Sequence, residues 1–133
     1  MFGCGVGCLA TVTGESYVTA RNTFNQLGFG GLRKGRQPFS SNFKELIIAL
    51  AEHGIEGKQE RWRGWESVAG SGIVKVRCTP RNWHWIVVET HPEYGFVVHD
   101  PGSQLPSFGC PPAGVISRPA SRLEPYGNWI RVE

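Results

Sequence analysis

The chain predicts an α+β domain, with N-terminal helices packed on a mainly antiparallel sheet. Three observations carry that reading. Apolar residues recur at helical spacing up to about residue 53; beyond it they fall into short β-branched and aromatic runs parted by Gly, Pro and Asn; and 133 residues suit one core, so residues 1–133 are read as a single domain.

The first helix is expected over residues 5–13, GVGCLATVT, a stretch small and apolar enough to be buried on nearly all sides, with Cys4 at its N-terminus and Gly14 as its stop. Ser16 caps a second helix from residue 17 to about 26, in which Tyr17, Ala20, Phe24 and Leu27 recur before Gly28. Residues 28–40 hold four Gly, one Pro and the basic Arg33, Lys34 and Arg36, and read as a surface loop of the kind that borders a cleft. Asn42 with Glu45 makes a capping box for a third helix carrying Phe43, Leu46, Ile47, Leu50 and Ala51, stopped by His53-Gly54. Strands follow at 73–77, 83–89, 96–99 and 129–132. A short turn around residues 92–95 sets the second and third of these side by side, in a hairpin centred near Glu93 that puts 84 roughly opposite 100. The 18 Gly and nine Pro imply many such turns.

Composition narrows the function classes. At 40% hydrophobic and 19% charged residues the chain packs instead of staying disordered. A net charge of +3, spread along the sequence, points neither to nucleic acid nor to an anionic membrane. No apolar run approaches the about 18 residues of a membrane span, and the start, Met-Phe-Gly-Cys, has no secretory or myristoylation signal. The expectation is a cytoplasmic protein without a membrane anchor, whose Cys4, Cys8, Cys78 and Cys110 stay reduced. Cys4-x-x-x-Cys8 lacks the second Cys or His pair of a zinc module, so neither metal nor cofactor is expected.

The chemistry gathers on three residues. A cysteine at a helix N-terminus has its thiolate favoured by the helix dipole and by unpaired amides, and the thiolate is the attacking species. Cys4 meets that condition, its own amide is a candidate oxyanion donor, and Gly5 and Gly7 leave the backbone open to a substrate. A buried, inert thiol is the alternative for Cys4 taken alone. His84 opens one strand run and Asp100 ends the next, so the carboxylate is placed to orient an imidazole that pairs with the thiol. Trp83 and Trp85 flank His84 and fill the core or wall the cleft; together with Gly5 they are the expected substrate-binding residues.

Cys4-Gly5-Val6-Gly7-Cys8-Leu9-Ala10, followed by His84-Trp85-Ile86-Val87-Val88 and Asp100-Pro101, resembles the papain-like peptidases that cleave double-glycine leaders from bacteriocin precursors, and their stand-alone relatives. The resemblance implies a papain-like fold, a peptide or protein substrate, Cys4 as nucleophile, His84 as base and Asp100 as the group that orients it. It also implies a Gln a few residues ahead of the Cys, where this chain has only Met1, Phe2 and Gly3. Cys8 remains the rival nucleophile, one turn inside the helix. Two other readings stand beside the hydrolase. A papain-like scaffold of weak activity would bind a protein partner through the Gly-rich loop and exposed Trp residues. Single-stranded nucleic acid would stack on the Arg- and Trp-containing stretches at 61–65 and 81–85, against which the low charge argues.

Overall fold

The computed structural model describes residues 4–31, 39, 41–79, 82–91, 95–99, 115–116 and 125–133; for some of these, Cys4 and Trp83 among them, it describes the backbone alone. Three helices come first, α1 (Cys4–Thr13), α2 (Tyr17–Gln26) and α3 (Phe43–Glu52). Strands β1 (Gly57–Arg61), β2 (Ser71–Thr79), β3 (Asn82–His91), β4 (Gly95–His99), β5 (Val115–Ile116) and β6 (Pro125–Val132) follow, with a 3-10 turn at Trp65–Ser67. This is the expected α+β order, and every strand pair is antiparallel.

Each helix starts and stops for a local reason. α1 ends where Gly14 takes φ +73°, a conformation that costs a side-chain-bearing residue energy. Along its last turns the hydroxyls of Thr11 and Thr13 donate back to the carbonyls of Gly7 and Leu9, so these polar side chains need no solvent partner. Ser16 opens α2 by accepting from the Thr19 amide. At α3 the capping box is complete: Asn42 Oδ1 accepts from the Glu45 amide at 2.8 Å, and Glu45 Oε1 accepts from the Asn42 amide at 3.1 Å.

The sheet runs β1-β6-β2-β3-β4-β5, so β2 and β3 are central. β2 and β3 pair from Ser71↔Glu89 to Arg77↔Trp83, with a register shift beyond Arg77. β3 and β4 pair from His91↔Gly95 to Val87↔His99, a hairpin centred on residue 93 as the sequence predicts. That register lies two residues away from the expected opposition of 84 and 100.

Core residues cover both faces of the central strands, which explains why the middle of β3, Trp85 to Val88, reads as a continuous apolar run, while β2 keeps Lys75 and Arg77 in alternation with Val74 and Val76. On the helix side, Ile73, Trp85, Val87 and Ile130 meet Val6, Cys8, Leu9, Phe24, Leu46 and Leu50. On the other, Val74, Val76, Ile86, Val88, Val98 and Trp129 form a second cluster with Val68, onto which Trp62, Trp65 and Phe96 pack. Trp62 stands edge-on to both Trp65 and Trp129, at 5.0 and 6.0 Å between ring centres. The strands extend past the sequence-predicted limits, and β1, β5 and the 3-10 turn have no counterpart in the sequence reading. Most of the Gly-rich loop, residues 32–38 and 40, and the hairpin turn at 92–94 lie outside the described residues.

Candidate active site

Cys4 is the first residue of α1, so its backbone stands at the helix N-terminus as expected; its side chain lies outside the described residues. The direction of α1 follows from what each end touches. At the first turn Gly5 is buried against the Ser41 side chain and Leu46. Two residues past Ser41, Phe43 stands edge-on to Trp85, ring centres 5.0 Å apart at 88°. In the last turn Thr11 and Val12 border a cavity of about 350 Å³ that Val87, Glu89 and His99 also line. α1 therefore runs along β3, with Cys4 at the end that carries Trp85 and His84.

Two expectations change here. Gly5 does not leave backbone open to a substrate: a Cβ at that position would run into Ser41 and Leu46, so close packing of α1 on the start of α3 is what requires the glycine. Trp85 is only 5% exposed and belongs to the helix-side core, which leaves little of its ring for a substrate. The Lys75 ammonium lies 5.4 Å from the Trp85 ring centre and 5.6 Å from that of Phe43, placing a positive charge over this aromatic pair. The Trp83 side chain is outside the described residues.

His84 is buried, at 7% exposed, and pairs across the sheet with Val76. Directly paired residues and residues two apart share a sheet face. Trp85 and Val87 enter the helix-side core while Val76, Ile86 and Val88 enter the other, so backbone alternation gives His84 the second face. Asp100 lies outside the described residues. The rival nucleophile has a definite place: Cys8 is a thiol with no exposed surface, inside the helix-side core, where no substrate carbonyl reaches it.

Two polar features near these elements were not singled out from the sequence. His99 Nε2 lies 2.9 Å from Glu89 Oε1 beside the cavity at the far end of α1, a pairing of β4 with β3 that only the register discloses. Ser41 Oγ is buried beside the first turn of α1 and has no hydrogen-bond partner among the described residues. A serine ahead of a capping box carries no local signal that sets it apart. Among the described residues no three His, Cys, Asp or Glu side chains are grouped to hold a metal, and no helix is long and apolar enough to cross a membrane.

No protein-family model and no curated protein sequence matches the chain. Among solved structures it is similar to a double glycine motif protease from an AMS/PCAT transporter, determined in complex with the leader peptide. The similarity spans 99% of this chain and 84% of that one, with a TM-score of 0.58 and 16% sequence identity. At that identity the match establishes a shared fold, that of a papain-like peptidase domain.

Proposed function

We propose that the chain is a papain-like thiol hydrolase that cleaves a peptide or related amide bond through Cys4, His84 and Asp100. The observation that carries this reading is the placement of Cys4 at the start of α1, at the His84 end of β3, in a fold shared with a peptidase over nearly the whole chain. In the proposed mechanism His84 takes the Cys4 proton and the thiolate attacks an amide carbonyl. His84 then protonates the departing amine, and water resolves the acyl-enzyme. Asp100 holds the imidazole in the required tautomer. The leader peptide bound to the similar protease supports a peptide or protein as the substrate.

A second reading, a papain-like scaffold of weak activity that binds a protein partner, is favoured by one observation: strand alternation assigns His84 to the sheet face shared with Val76, Ile86 and Val88, away from the helices. Alkylation by iodoacetamide near pH 6, mapped by mass spectrometry, separates the two. A thiolate paired with imidazolium reacts there, whereas an ordinary cysteine, with a pKa of about 8.5, does not. Selective labelling of Cys4 that is lost in His84→Ala supports the hydrolase; labelling of Cys4 no faster than that of an unstructured cysteine peptide rules it out.

A further inference from the structure

At the last turns of α1, away from Cys4, a cavity of about 350 Å³ opens over the helix-side face of the sheet, a volume within the usual range of small-molecule sites. Strand register builds its floor. Val132 pairs with Ser71 and Ser71 with Glu89, while Val87, two residues before Glu89, pairs with His99. Paired residues and residues two apart share a sheet face, and Val87 enters the helix-side core, so all five belong to that side. Val12 from α1 and Ile55 from the loop after α3 join Val87 and Val132 in an aliphatic wall.

The polar groups around that wall are rich in acceptors. The His99 ring lies with Nε2 2.9 Å from Glu89 Oε1, which leaves Glu89 Oε2 without a hydrogen-bond partner among the described residues. Thr11 gives its hydroxyl proton to the Gly7 carbonyl, so what it has left is lone pairs. Glu133 adds a second carboxylate, anchored where its amide donates to the Glu56 carbonyl; Lys58 and Arg131, 3.8 and 3.5 Å from it and about half exposed, offset its charge weakly. A ligand suited to such a cavity brings positive charge and donors at one end and methylenes at the other. An ammonium has three donors and no acceptor. We propose that the cavity binds a primary amine on a short aliphatic stem, its ammonium donating to Glu89 Oε2 in the negative potential to which Glu133 adds, its methylenes against Val12, Val87 and Val132. A free alkylamine and the side chain of a peptide lysine share this chemistry. The site lies at the end of α1 opposite Cys4, and it stands or falls independently of the hydrolase reading.

The test is a titration of the full chain near neutral pH with n-pentylamine, followed by amide NMR, with pentan-1-ol and sodium pentanoate as neutral and anionic controls of the same stem. Pentylammonium should shift the amide signals of Val12, Glu89 and His99 saturably, and the two controls should bind more weakly. E89Q keeps an oxygen for His99 at a half-exposed position, so it leaves the fold in place, and it should weaken pentylammonium binding about tenfold through loss of a charge-assisted hydrogen bond. E60Q removes the same charge outside the cavity and should bind as the wild type does. A capped glycine-lysine-glycine peptide then separates the sources: binding as tight as that of pentylamine assigns the site to a peptide lysine, and weaker binding assigns it to a free amine. No saturable shift at these residues overturns the proposal, as does pentanol or pentanoate binding there as tightly as pentylammonium. Equal affinity of E89Q and wild type, or an equal loss in E60Q, also overturns it.

Discussion

Gly5 and Trp85 were both expected to meet a substrate, and both are instead committed to the seam between α1, α3 and the sheet. Gly5→Ala drives a methyl into Ser41 and Leu46 and should lower stability by about 1–3 kcal/mol, the usual cost of overpacking a core, as read by urea denaturation. Trp85→Ala empties a site against Phe43 and should cost about 3–5 kcal/mol in the same assay. A substrate-wall residue would lose catalytic efficiency with little change in stability, so the two roles are distinguishable. The sequence shows that the His84–Val88 stretch is a strand. It does not show which face each residue takes, because a run that is apolar on both sides has no alternation to mark its parity. Cys4 is different: the small apolar run after it, closed by Gly14, marks out the helix that it opens from sequence alone.

The helices are legible because their ends are written in local chemistry. Ser16, Asn42 with Glu45, Gly14 and His53-Gly54 each act within four residues, so no tertiary information is needed to place them. Asn42→Ala removes one half of the capping box and should destabilise the protein by about 1 kcal/mol, visible as a lower denaturation midpoint with an unchanged slope. β1 was not legible for the opposite reason. Its sequence, GKQER, has no apolar face to reveal, and it becomes a strand only because β6 offers it an edge. β5, described at Val115–Ile116, pairs with β4 and has no apolar alternation in its two residues to announce it.

On the scale of the whole molecule, the helix-side core joins all three helices to the sheet through Val6, Phe24, Leu46, Ile73 and Ile130, so exposing any one member requires a large opening. Cys8 reports on this directly. Its alkylation under native conditions should be slow and should accelerate steeply with urea, in step with global unfolding, whereas an accessible cysteine would label at a rate nearly independent of denaturant. The border of the sheet carries a further consequence. Among the described residues no strand pairs with the outer side of β1, and along it Lys58, Glu60 and Arg61 stand where a hydrophobic strand would have invited company. Lys58 lies 3.8 Å from Glu56 and from Glu133, and Glu60 lies 3.5 Å from Arg131 on β6, so a visiting chain that laid its backbone along β1 would have to dehydrate a row of charges. The margin of the molecule is thereby guarded against self-polymerisation, and replacing Lys58 and Glu60 with valine should turn a well-behaved solution into one that scatters light.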